Sequence, residues 1–392
     1  MSTAKSHSGL PPASHSNPHP GWGAPPWHID FTVRGRRVPQ SPVPQSIDFA
    51  VIGAGFTGLA AAAWLRRLAP EKSVAVFEAV RIGAGASGRT GGMALAESAA
   101  GDLPGLGNVL GGLERILAEL QIACDLALPG AFEIGRSKSM AHSPIQWNDS
   151  GTLRVVKKVP GGTLDPGKLV AGLARAADER GALIIESHPV TKIEWERSPV
   201  VQAASARCSA GKILFATNAL ALELTALAGR AEPKLTLAIL TEPMNEERLE
   251  AIGLAGGNPF YTVDLPYLWG RCRRDGSVIF GAGLVDADDS RDLEHIDITK
   301  GQAKDLFESI ERRIHSLHPV LREIGITHRW GGPILFRENW RPVFMPHPQT
   351  KNAVVLGAYA GHGVALSVYL GAWAAEALLG RRKLPPWGSI PK

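Results

Sequence analysis

The chain of 392 residues has little cysteine. Cys124, Cys208 and Cys272 lie far apart with no C-x-x-C spacing. That argues against a disulfide framework and a thiolate zinc site, and makes a reducing, cytoplasmic setting the expectation. It has no apolar run long enough to span a bilayer. Its N-terminus lacks the apolar core of a secretory signal, and Arg36 and Arg37 are not followed by one, which argues against twin-arginine export. An excess of one charge is also missing: 42 Lys and Arg stand against 37 Asp and Glu, so the formal net charge is only +5. The basic runs at 34–37, 271–274 and 381–383 are short and read as solvated faces, so no nucleic-acid partner is expected.

Glycine, by contrast, is abundant at 44 residues, which suits close approach of backbone to a ligand. The length allows a large core in two lobes. Residues 1–45 are rich in Pro, Ser, His and Gly. At least the first twenty are expected to be disordered. His7, His15, His19 and His28 are irregularly spaced among prolines, the pattern of a flexible tail and not of a metal site. Trp22 and Trp27 are unusual for pure disorder, so the chain from about Trp22 is expected to pack on the body.

The centre of the sequence is residues 48–62. An apolar run of strand character ends at Ile52, and Gly53, Ala54, Gly55, Phe56, Thr57 and Gly58 follow as G-x-G-x-x-G. A helical pattern continues to about Leu68. A second apolar run at 74–77 ends in Glu78. Strand, tight turn, helix, strand and acid form the dinucleotide-binding fingerprint. Gly53 permits the turn, Gly55 lets the backbone approach a pyrophosphate, and Gly58 lets the helix pack close to the strand. Free N–H groups at the helix start face an anion, and Glu78 suits the hydroxyls of a ribose. The fingerprint alone does not separate FAD from NAD. The loop at 81–93 helps, because seven Gly, Ser and Thr residues, among them Ser87, Thr90, Gly91 and Gly92, crowd between Arg81 and Met93 around Arg89. Such a loop supplies a second cradle for a longer cofactor.

Residues 53–58, Glu78, the loop 83–92 and Gly361, His362 and Gly363 together resemble the FAD-dependent amine and amino-acid oxidoreductases. These are the superfamily of D-amino-acid oxidase, glycine oxidase and sarcosine oxidase. The nearest likeness is to its γ-glutamylputrescine oxidase-like branch, over about 27–379. The resemblance implies an α/β fold, α+β overall. A Rossmann-like FAD-binding domain (46–100, 155–232 and 326–380) would carry an inserted mixed-sheet substrate domain (101–154 and 233–325). Residues 1–45 would be an arm and 381–392 a tail. It implies that Val190 holds the adenine through its backbone, and that Ala216 and Thr217 pass close to the flavin nucleotide. Gly357, Gly361, His362, Gly363 and Val364 would then place a helix N-terminus at the pyrimidine side of the isoalloxazine. In that setting His362 reads as structural and not as a base. Tyr261, Tyr267 and Trp269 are candidates for the pocket wall, although aromatics on a strand are more often core, and Arg337 joins them.

The implied reaction is oxidation of a C–N bond by hydride transfer to flavin, followed by imine hydrolysis. It needs no acid–base triad, and none is seen. Two departures matter. Relatives that clamp a substrate carboxylate do so with an arginine soon after Trp-x-Gly. Here Ile334 falls near that place, with Arg337 and Arg341 shifted, which favours an amine, or an amine with a distant carboxylate, over a plain α-amino acid. The strand 278–281 lacks the lysine with which sarcosine oxidases activate oxygen, which leaves a dehydrogenase with another acceptor open. No cysteine occurs in 338–363, so the FAD is expected to be non-covalent. A non-catalytic FAD-binding subunit of a larger complex is the alternative of a different class. The expected partners are a small amine or amino acid and oxygen or another electron acceptor, with a homo-oligomer left open.

Overall fold

A computed structural model describes residues 19–31, 43–136, 140 and 142–389. The expected disorder of the first twenty residues falls almost wholly on 1–18, and with His7 and His15 it lies outside the described residues. Two large sheets organise the chain. The first runs in the spatial order Val343–His347, Thr350–Gly357, Ala206–Phe215, Ser46–Ile52, Val74–Phe77 and Leu183–Ile185. All neighbours from Thr350–Gly357 onward are parallel. Val74–Phe77 is buried at every position, as an unbroken apolar strand covered on both faces should be.

Alternation along the central strand sends Phe49 and Val51 to one face. There they meet helices Phe56–Leu68, Val109–Leu120, Pro166–Glu179 and Gly363–Leu378. Ala50 and Ile52 point to the other face. Local signals start two of these helices: Asn108 caps the Gly111 N–H, and Asp165 caps the Lys168 N–H with Pro166 at the first position.

The second sheet runs Ile326–Phe336, Glu232–Thr241, Val278–Asp286, Trp269–Cys272, Phe260–Thr262, Ala131–Gly135, Thr152–Val159 and Gln146–Asn148. Its neighbours are antiparallel except Phe260–Thr262 beside Ala131–Gly135, so it is mixed as expected. Helix Gly301–Leu317 covers it through Ala303, Phe307, Ile310 and Ile314. The α/β class with a mixed second sheet agrees with the sequence reading. One strand sits differently: residues 328–334, read as returning to the cofactor unit, lie in Ile326–Phe336, which pairs along its length with Glu232–Thr241. Thr152–Val159 likewise crosses the expected boundary at 155 and pairs in the second sheet. Long-range antiparallel pairing decides both, and local pattern does not record it.

Residues 19–31 of the arm pack on the body. Trp22 is fully buried and its indole N–H donates to the Leu293 carbonyl at 3.0 Å. Trp27 donates to Gly88 at 2.8 Å and meets Trp330 edge-on. Burial, reinforced by the charge of Arg89, lowers the His19 imidazole from 6.5 to about 4. A histidine with a depressed folded pKa takes its proton more readily when unfolded. Its contribution is therefore complete above pH 6.5 and is lost as the pH falls toward about 4. His19→Asn is expected to flatten the acid-side fall of the thermal midpoint across that window. A slope equal to that of the wild type would show that the arm does not bury this ring.

Candidate functional site

A cavity of about 1350 Å³ takes its walls from both sheets. At one end lies the glycine turn. Gly53 has φ +103°, and a Cβ there would stand 2.7 Å from the Ala216 carbonyl oxygen. A Cβ on Gly58 would stand 2.0 Å from the Gly53 carbonyl oxygen. These contacts let helix Phe56–Leu68 start against its strand with N-terminal amides facing the cavity. The Phe56 N–H donates to Ser87 Oγ at 2.9 Å, so the second loop buttresses the first. Glu78 accepts from the N–H groups of Ala54 at 2.9 Å and Val80 at 3.0 Å. Burial raises its pKa, and these two amides pull the other way. Each carboxylate oxygen keeps a lone pair for a further donor. Val190 lines the same end.

Ala216 and Thr217 continue the wall past the strand Ala206–Phe215, and Thr217 Oγ1 is buried without a partner. Beyond them the turn before the last helix is left-handed at Ala358, Ala360 and Gly361, with φ of 56°, 48° and 90°. Asn218 Oδ1 holds it through the Ala358 N–H at 2.9 Å. Helix Gly363–Leu378 has no side-chain cap, so its first amides are left for whatever fills the cavity. His362 Nδ1 is buried without a partner, and burial lowers the ring's pKa. Tyr359, absent from the sequence reading, joins this turn to the first helix through a 2.7 Å contact of its hydroxyl with that of Thr57.

The second sheet roofs the cavity with a register row that crosses its strands. Glu133 pairs with Tyr261, Tyr261 with Trp269, Trp269 with Gly281, Gly281 with Ala238 and Ala238 with Trp330. Partners in register share a face. The Trp269 indole fits because Gly281 and Gly91 have no side chain: a Cβ would stand 2.0 Å and 2.4 Å from it. Tyr261, Trp269 and Trp330 line the cavity, and Tyr267 and Trp340 stand exposed at its rim. Arg313 clamps the Tyr267 loop by donating to the carbonyls of Pro266 at 2.8 Å and Tyr267 at 2.7 Å while paired with Asp149. No local signal announces that clamp, whose parts come from three distant segments.

Ala54, Gly55, Phe56, Thr57, Ser87, Arg89, Thr90, Gly91, Met93, Gly361, Gly363, Val364 and Arg337 also line the cavity. Gly58, Gly92 and Gly357 do not; they shape it from behind. The guanidinium of Arg89 donates to Gly23 at 2.8 Å and Gly331 at 3.2 Å, so what it ties down is the arm and the second sheet. Arg271 holds the Gly91 carbonyl at 2.5 Å from the far side. Among the described residues no group of three or more potential ligands could hold a metal ion. No described helix is long and apolar enough to cross a membrane.

Two helix N-termini without side-chain caps, an unpartnered buried hydroxyl at Thr217 and the Glu78 carboxylate with lone pairs to spare, set along one cavity, suit one elongated dinucleotide. Together they define a dinucleotide-binding protein built on two sheets. Residues 48–377 match the model of the DAO family, described as FAD dependent oxidoreductase, and the chain belongs to that family. Its cofactor is FAD. The chain is 27% identical to a probable oxidoreductase OrdL of Rhizobium meliloti (strain 1021), over 91% of this chain and 88% of that one. It is 28% identical to gamma-glutamylputrescine oxidoreductase of Escherichia coli (strain K12), over 85% and 84%. The fold is shared with L-proline dehydrogenase from P. horikoshii (TM-score 0.70, 18% identity, 88% of this chain and 96% of that one). It is also shared with glycine oxidase from Geobacillus kaustophilus (TM-score 0.67, 18% identity, 87% and 96%).

Proposed function

We propose that the chain oxidises the C–N bond of an amine that carries a carboxylate away from the reacting carbon, using non-covalent FAD. The observation that carries this reading is Arg337. It lines the cavity and is only 6% exposed, and its Nη1 is buried without a partner. A buried guanidinium with no counter-charge is costly, and a bidentate carboxylate is its natural complement. The similarity to gamma-glutamylputrescine oxidoreductase supports an amine as the reacting end.

The first sheet and its helices would hold the cofactor through the 53–58 turn, Glu78, the 83–93 loop and the last helix. The second sheet would supply the substrate wall. Bound FAD supplies a two-electron acceptor for the hydride of the carbon that bears nitrogen. Arg337 would fix the carboxylate, and Trp269 would exclude water from the reacting carbon. Lys234, a lysine of the wall, is engaged by Asp286 at 2.6 Å and Glu232 at 3.5 Å. That supports a dehydrogenase reading beside the oxidase one, because no free lysine on the described wall meets oxygen.

The test is anaerobic titration of the purified holoprotein with 4-aminobutanoate, 4-(methylamino)butanoate, putrescine, sarcosine, glycine and L-proline. Bleaching of the flavin by the ω-amino acids ahead of putrescine and glycine is expected. Admission of air then separates oxidase from dehydrogenase. A flavin that none of them bleaches would overturn the reading and favour a non-catalytic FAD-binding subunit.

A further inference from the structure

The reaction needs a neutral amine, because the nitrogen lone pair forms the C=N bond as hydride leaves, and an ammonium group has none to give. At neutral pH a free alkylamine is almost wholly protonated. The second sheet holds a group suited to take that proton. Tyr261 lies on the cavity wall, its ring edge-on to that of His362 with centroids 6.3 Å apart. Its hydroxyl donates to Glu133 Oε1 at 3.0 Å. The two are direct partners in parallel strands, so their side chains leave the sheet on one face. Glu133 is half-buried and lies behind Tyr261, off the cavity wall. It makes no ion pair among the described residues.

We infer that Tyr261 and Glu133 form a proton relay that neutralises the substrate ammonium before hydride transfer. With its own proton committed to Glu133, the Tyr261 oxygen presents a lone pair to the cavity. The ammonium N–H bond breaks toward Tyr261 Oη while the phenolic proton passes to Glu133 Oε1. The substrate keeps the electron pair and becomes a neutral amine. Glu133 becomes a carboxylic acid and returns the proton to water after the product leaves. No oxidant or co-reactant is needed for this step.

The surroundings support the direction. Tyr261 cannot itself remain ionised: burial raises its pKa, and the charge of Glu133 and their hydrogen bond raise it further, so it passes protons without storing them. Glu97, whose pKa is raised by burial and then by Glu133 and Asp102, adds negative charge on the same side. Lys157, the register partner of Glu133 on the other flank, is exposed. His362 faces Tyr261 from the opposite turn, and burial lowers its pKa, so it brings no positive charge.

The proposal rests on the amine reading above, and its test separates the two. Flavin reduction by 4-(methylamino)butanoate, or by the panel member that bleaches the wild type fastest, is followed by stopped flow against pH. Tyr261→Phe and Glu133→Gln are expected to lose on the order of 10²-fold at pH 7. Their rates should then climb about tenfold per pH unit toward the amine's own pKa, near 10. The wild-type rate should change far less. Tyr261→Phe keeps the ring and the charge behind it. It should retain its FAD and bind 4-(trimethylammonio)butanoate, which has no proton to give, with wild-type affinity. If Glu133→Gln fails to fold, Tyr261→Phe decides. Variants that keep the wild-type rate and pH profile would overturn the relay and leave the amine reading intact. A Tyr261→Phe variant that is slow but has an unchanged pH profile and weak binding of the quaternary analogue would reduce Tyr261 to a packing residue. A wild type bleached by no amine would overturn both.

Discussion

Gly58→Ala is expected to purify without flavin. The added methyl would stand 2.0 Å from the Gly53 carbonyl oxygen and 3.0 Å from Val51 Cγ1. The first of these is backbone in a tight turn between the central strand and its helix, and it has no rotamer to yield. The helix must move off the sheet, and the amides that would face the cofactor's phosphates move with it. Overpacking of this kind costs about 1–3 kcal/mol in the apoprotein. The larger loss is the cofactor's own contribution, which grows with FAD concentration over its Kd and disappears when the cradle is distorted. The measurement is FAD content together with the thermal midpoint with and without added FAD. A Gly58→Ala protein with full FAD content would refute the close-packing argument.

Arg337→Met should move stability and activity in opposite directions. Burial lowers the Arg337 pKa, and the nearby charge of Arg341 lowers it further, so the free enzyme carries a cation at a cost. A methionine of similar length removes that cost and should raise stability by about 1 kcal/mol. The same change removes the group that would hold a substrate carboxylate, a contact worth about 2–5 kcal/mol where the charge is buried. For 4-(methylamino)butanoate, kcat/KM should fall by about 10²-fold or more, chiefly through KM. Putrescine, which has no carboxylate, should lose nothing. Reduced stability would mean that Arg337 has a structural partner. An equal loss for both substrates would mean that it does not select a carboxylate.

The glycine turn and its strand–helix–strand unit were legible because their signals are local. Gly53, Gly55, Gly58 and Glu78 sit within one strand–helix–strand unit, and each residue type answers a nearby steric or electrostatic need. Asp165 with Pro166, and the Asp275 turn between Trp269–Cys272 and Val278–Asp286, are equally local. The second sheet was not legible in the same way. Tyr261, Trp269 and Gly281 were visible as strand residues, yet their order across the sheet is set by pairing between distant segments. Glu133 gave no sequence signal because its partner lies 128 positions away. Arg89 shows the limit of the motif itself: it belongs to the cofactor loop by sequence, but its guanidinium is directed to the arm and the second sheet.

The arm also has a meaning in time. The carbonyl that receives the Trp22 indole belongs to Leu293, which is synthesised 271 residues later. Gly23 bridges to Trp330, later still. The segment of Trp22 and Gly23 is therefore among the last that can dock, because contacts of such separation wait for the chain between them. Until then the carbonyls of the arm and of Gly331 that receive Arg89 are not in place, and the loop after Glu78 lacks its outer support. During synthesis the strand–helix–strand unit of 46–77 can form early, but the first sheet is complete only once Thr350–Gly357 and helix Gly363–Leu378 have been made.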